Sequence, residues 1–175
     1  MSTPSPKKAQ ESLHILEQTP GILRSLLGAA TKDQLDWQPA ANRWSITMIL
    51  AHLHDVELNG FRSRFRAMVE QDRPFLESYD QLALFQNGRT FDGLAELDAF
   101  VRERKETLAG LKKLPPEASQ RTGRHQELGE ISVAELLYEF AFHDLGHIRQ
   151  VAEVYRSYAF YPHMGGFQKY YQIHP

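Results

Sequence analysis

Apolar residues return every third or fourth position in four long stretches of this chain, the period of helices that bury one face. The first stretch begins near Lys7, with Leu13 and Leu16 in step and Leu23, Leu26, Leu27 and Ala30 carrying the stripe onward. Thr19-Pro20 falls in its middle and predicts a kink or a restart, because proline suits a helix's first turn better than its interior. Residues 36–45 read as a loop punctuated by Pro39 and Asn42, and Ser45 as the N-cap of a second helix from Ile46 to about Glu70. Asp72-Arg73-Pro74 closes that helix, and residues 74–86 read as a partly helical segment stopping at Asn87-Gly88-Arg89. The third clear helix lies within residues 91–114, with Leu94, Leu97, Phe100, Val101, Leu108 and Leu111 on one side and Pro115-Pro116 ending it. Residues 117–130 are polar and read as a loop, a short strand pair within 120–131 being the competing reading. Ser132 with Glu135 forms a capping box that opens the last helix, Val133 to about Tyr158. A loose lead-in (residues 1–6) and an aromatic tail (residues 159–175), expected to pack back on the body, complete a single domain. Four such helices without an alternating strand predict an all-α four-helix bundle.

The last helix breaks its own pattern. Val133, Leu137, Phe140, Val151, Tyr155 and Tyr158 share one side of the wheel, with Leu136 and Val154 beside them. Asp144 and His147 fall inside that stripe and His143 at its edge, so the face is apolar, polar for one turn, and apolar again. Burying a carboxylate and two imidazoles is costly unless each finds a partner. Histidines four apart stand one above the other and can converge on a single divalent cation. A further ligand must come from another helix, where His52 and His54 are the candidates. Both flank the stripe of Ile46, Ile49, Leu50 and Leu53, so the wheel alone does not choose between them; the apolar helical neighbours Met48, Ile49 and Val56 favour His52. His14, His125, His163 and His174 read as surface or structural residues. Glu57 and Glu139 could bridge a two-metal centre, but the Glu-x-x-His spacing of such bundles is absent around His143 and His147, which favours one metal.

Composition narrows the chemistry. The chain has 175 residues, a formal net charge of -2 and no cysteine. Thiolate metal sites, disulfides and cysteine nucleophiles are therefore excluded, and nitrogen and oxygen donors remain. The charge balance points to no nucleic acid and no membrane surface, and the basic run at residues 61–70 reads as a solvated face. A cytoplasmic protein with a small-molecule substrate is expected. Trp44, Tyr138 and the tail rings Phe160, Tyr161, Phe167, Tyr170 and Tyr171 could wall a pocket or serve as core or homodimer contacts.

Two segments together resemble a known family. "WSITMILAHLHDVE" (residues 44–57) and "FAFHDLGHIRQ" (residues 140–150) are similar to the DinB-like proteins, metal-binding four-helix bundles of up-down-down-up type. The resemblance implies that His52, His143 and His147 bind one divalent metal, zinc or nickel. It also implies thiol-dependent transfer with a low-molecular-weight thiol such as bacillithiol or mycothiol as cosubstrate. A metal-dependent hydrolase using activated water, and a non-catalytic metal-binding stress-response protein, are the alternatives. Three histidines leave coordination positions open, as catalytic sites do. Asp144 is then expected to accept a ring N–H from a ligand histidine or to act as general base, with Asp55 a weaker candidate for the supporting role.

Overall fold

The computed structural model describes residues 6–86 and 88–173. The expected lead-in lies almost wholly outside the described residues, Pro6 being already the first residue of a helix, and His174 lies outside them too. The bundle consists of α1 (Pro6–Leu27), a long second helix, α5 (Gly93–Leu111) and α6 (Val133–Ala159). A single turn, α2 (Lys32–Asp36), precedes the second helix and carries its own capping box from Thr31 and Gln34. The second helix is α3 (Ile46–Asp55), a π-helical segment (Val56–Arg62) and α4 (Ser63–Glu70) in one run. Ser45 caps it at the Met48 N–H, as expected, and Ser132 and Glu135 form the capping box of α6. The π-turn is crowded at Gly60: a Cβ there would lie 2.5 Å from Val56 Cγ2, so a larger residue would force the Val56 side chain to move.

α1 continues through Thr19-Pro20 without restarting. Proline at position 20 removes the N–H that would bond the Leu16 carbonyl, and that carbonyl is taken by the Arg104 side chain, Nη1 to O 3.0 Å. Thr19 Oγ1 meanwhile donates to the Ile15 carbonyl at 2.9 Å. The helix interruption is thus met by a partner from α5.

Residues 117–130 are not a plain loop. A 3-10 turn (Pro116–Gln120) leads into β2 (Thr122–His125), which pairs antiparallel with β3 (Gly129–Ser132). β1 (Phe75–Leu76) adds to β2 in parallel, giving the sheet order β1-β2-β3. Residues 74–86 therefore hold a short strand and one 3-10 turn (Ala83–Phe85), with less helix than the sequence suggests. The tail forms 3-10 turns at Tyr161–His163 and Gly165–Tyr170, and its rings Phe160, Phe167, Tyr170 and Tyr171 stay largely exposed.

The core falls into two apolar clusters. One gathers Leu23, Leu27, Ile49, Leu50, Leu53, Leu97, Phe100, Val151 and Val154; the other Leu16, Val56, Phe61, Phe65, Met68, Leu136, Leu137 and Phe140. On every helix of the bundle a polar or proline residue marks the changeover: Thr19-Pro20 on α1, His52 and Glu57 on the second helix, Arg104 on α5, and His143, Asp144 and His147 on α6. Burial of the two apolar layers fixes the helices, and the fixed helices then hold a polar layer between them.

Candidate metal centre

The polar layer splits into two groups. The first is a histidine cluster: His52 Nε2 lies 3.1 Å from His143 Nε2, which lies 3.2 Å from His147 Nε2. His52 is buried, His143 and His147 partly so. His147 Nδ1 sits 2.9 Å from Gln150 Oε1, an acceptor only, so Nδ1 carries the proton and Nε2 the lone pair. Burial holds all three imidazoles neutral. It pulls the His52 pKa down to about 3 and that of His143 to about 2, the neighbouring imidazoles adding to the effect, and lowers that of His147 as well.

These neutral rings fit one another poorly. A ring nitrogen has one lone pair, so His143 Nε2 can complete only one of its two close contacts as a hydrogen bond. His52 Nδ1 and His143 Nδ1 are buried and without a hydrogen-bond partner among the described residues. A cation at the common point satisfies all three Nε2 atoms together. Nitrogen donors at about 2.0–2.1 Å around a tetrahedral ion stand about 3.3 Å apart, close to the spacings of 3.1 and 3.2 Å found here. Among the described residues, His52, His143 and His147 form a group able to hold a metal ion, their ligand atoms all within 4.8 Å of one another. His54, the other candidate, turns away and pairs through Nδ1 with Glu96 Oε2 at 2.7 Å.

Aromatic rings wall the cluster. Trp44 lies 5.0 Å from the His52 ring and parallel to His147, Tyr79 lies 6.0 Å from His52, and Phe61 meets His143 edge-on at 5.3 Å. Of the aromatic residues singled out in the sequence, Trp44 stands at the site, whereas Tyr138 and the tail rings line neither of the two clefts that reach it. One cleft, of about 730 Å³, runs along α6 past His143 and His147; the other, of about 380 Å³, reaches His52 and His143 from the side of Tyr79 and His125. His143 and Glu139 line both. Burial in the cleft wall pushes the Glu139 carboxyl up to about 7, against the pull of Arg64.

The second group is an ion cluster with Arg104 at its centre. Arg104 Nη1 and Nη2 grip Asp144 Oδ2 and Oδ1 at 2.6 and 3.0 Å, and Nε reaches Glu57 Oε2 at 2.8 Å. Arg104 is 1% exposed, and Glu57 and Asp144 are 0% exposed. The Phe100 and Phe140 rings flank the guanidinium at 4.7 and 4.5 Å. Asp144 therefore spends both oxygens on Arg104; in this arrangement it neither accepts a ring N–H nor stands free as a base. Glu57 is fully buried and bound to Arg104 through Oε2, whereas Glu139 lines the clefts, so the two do not meet as a bridging pair. Asp55 accepts from the Tyr79 hydroxyl and from Asn59 Nδ2. His125 Nδ1 accepts backbone N–H groups of the turn between β2 and β3, and His14 and His163 are exposed. Arg104 escapes a reading by pattern because it sits among the charges of Arg102-Glu103-Arg104-Lys105-Glu106, which look like a solvated face.

Comparison with known proteins agrees with this architecture. YfiT from Bacillus subtilis, described as a probable metal-dependent hydrolase with an unusual four-helix bundle topology, superposes with a TM-score of 0.81 at 22% identity, covering 90% of this chain and 91% of that one. In sequence the same Bacillus subtilis protein is 24% identical over 155 residues, 87% of this chain and 86% of the relative. A protein of Oceanobacillus iheyensis, provisionally named a metal-dependent hydrolase, is 22% identical over 147 residues, 82% of this chain and 84% of the relative. The sequence model of the DinB superfamily matches residues 15–151, most of the bundle and both segments that carry the three histidines. The chain belongs to the DinB superfamily.

Proposed function

We propose that His52, His143 and His147 hold one divalent metal ion and that the protein is a metal-dependent enzyme acting on a small molecule. The observation that carries this reading is the convergence of three neutral, mutually unsatisfied Nε2 atoms on one point. An all-nitrogen donor set without thiolate suits zinc or nickel. A divalent cation held there would supply Lewis acidity, making a water or a small thiol acidic enough to give up its proton near neutral pH.

The chain's own residues supply the rest. Gln150 orients the His147 ring by accepting its Nδ1 proton. Trp44, Phe61 and Tyr79 restrict access to the three nitrogens and keep the local dielectric low. Glu139 lines both clefts beside His143, and its carboxylate, with a pKa near 7, receives the nucleophile's proton at an Oε atom. Arg104 holds Asp144 on α6 and Glu57 on the π-turn, fixing the two helices that carry the histidines.

With water as nucleophile the protein is a hydrolase, the reading supported by the names of its relatives. Two clefts meeting at His143 and Glu139 favour a second reading, in which a small thiol enters one and an electrophile the other. Assays of metal-loaded protein on a panel of esters, amides and alkyl halides, with and without a small thiol, separate the two. Turnover independent of thiol makes it a hydrolase; turnover that saturates with thiol and yields a thioether makes it a transferase. Rates equal to those of metal-free protein on every substrate would remove the enzymatic reading and leave a metal-binding protein.

A further inference from the structure

On α6, Phe142, Gly146, Arg149, Glu153 and Arg156 follow at spacings of three or four, so they form one stripe beside His143 and His147. All of them line the larger cleft, together with Arg43 from the loop ahead of α3 and Glu139. Three arginines against two glutamates give the lining a formal charge of +1 in a chain whose net charge is -2. Arg156 is committed to Glu153, with Nη2 at 2.9 Å from Oε1. The guanidinium groups of Arg43 and Arg149 have no hydrogen bond or ion pair among the described residues.

Gly146 leaves further room in the same lining. Glycine inside a helix costs stability relative to alanine, yet a Cβ added at Gly146 meets no atom within 4 Å. Packing within the protein does not require the glycine. The space it leaves belongs to the cleft, between Phe142 and Arg149 and beside the two histidines of α6.

We propose that the larger cleft binds an anionic group of the substrate, a carboxylate or a phosphate, at Arg43 and Arg149, with the body of the molecule lying over Gly146 and its reactive atom at the three histidine nitrogens; this rests on the metal-dependent reading above. Guanidinium forks match the paired oxygens of either anion. Two arginines from separate elements also set the direction in which the substrate enters, which a bare metal site does not.

Calorimetric titration of zinc-loaded protein with succinate, with 3-phosphonopropionate and with the uncharged succinamide tests this. Either dianion binds wild type at least about tenfold more tightly than succinamide, and the tighter of the two names the anion. The double variant Arg43→Gln, Arg149→Gln loses that preference. Gly146→Ala melts at a higher temperature than wild type and binds both dianions about tenfold more weakly. Equal affinity for succinate, 3-phosphonopropionate and succinamide, affinity for the dianions unchanged in the double variant, or unchanged in Gly146→Ala, overturns the proposal. Zinc content is measured on each sample, so wild type that takes up no zinc marks failure of the metal reading alone. The same titrations on metal-free protein keep the arginine contribution readable in that case.

Discussion

His143 and Asp144 are neighbours in sequence, yet they serve two buried polar clusters of opposite character. Asp144 belongs to a closed group: Arg104 supplies a donor to each of its oxygens, another to Glu57 and another to the carbonyl that Pro20 leaves free in α1. Of the carboxylate oxygens in that group, only Glu57 Oε1 lacks a hydrogen bond among the described residues. His143 belongs to an open group, three Nε2 atoms that converge without being able to satisfy one another in full and two Nδ1 atoms without partners among the described residues. A buried polar cluster that satisfies itself is an architectural element. One that does not satisfy itself is shaped for something else to complete it. Both are built from the same turn of α6, because residues i and i+1 diverge by about 100°.

This contrast predicts that the two clusters fail differently. Arg104→Met leaves two buried carboxylates without their cation and costs about 3–5 kcal/mol, read by chemical denaturation. Adding Glu57→Gln and Asp144→Asn removes the orphaned charges and recovers most of that loss. His143→Ala behaves in the opposite way. It keeps its helical circular-dichroism spectrum and loses metal affinity by more than about a hundredfold, read by competition with a chromogenic chelator. An equally large loss of stability in His143→Ala would erase the distinction between the clusters.

Smaller effects sharpen the same comparison. Gln150→Ala frees the His147 ring to turn and lowers metal affinity by about tenfold or more without changing stoichiometry. Glu139→Gln leaves metal affinity near that of wild type and acts on the pH profile. The folded-state pKa of Glu139 is raised, so its base form exists only above about pH 7 and the wild-type rate falls as pH drops through that value. The glutamine variant is slower at pH 8 and lacks that limb. The sign for stability is set by the same shift: the cost of ionising Glu139 in the fold grows as pH rises from the ordinary carboxylate pKa to about 7. Wild type therefore loses a little stability over that window and the variant does not. A wild-type profile flat from pH 6 to 8 would contradict the assignment.

The helices were legible because their stripes are long and two of their caps explicit: Ser45 and the Ser132–Glu135 pair accept the N–H groups that they should. The small sheet was legible only in part: a strand pair within 120–131 stood as the competing reading, but Thr122–His125 and Gly129–Ser132 are too short and polar to alternate, and β1 joins β2 through contacts distant in sequence. The open cluster was visible from α6 alone, because His143 and His147 interrupt an apolar stripe. The structure brings His52 to them and gives His54 to Glu96, a choice that the wheel could not make. The closed cluster was invisible for a definite reason. Arg104 lies in a run of charges where every position looks solvated, and its burial follows from Pro20, Glu57 and Asp144, three residues on three other helices.

Metal content after reconstitution is the most direct test of the central claim. Wild type, His54→Ala and His143→Ala, purified without a histidine tag, are supplied with zinc or nickel, desalted and analysed for metal and for helix content. The account predicts close to one ion per chain in wild type and in His54→Ala, and none in a folded His143→Ala. Metal retained equally by His143→Ala, or absent from folded wild type with either ion, would contradict it.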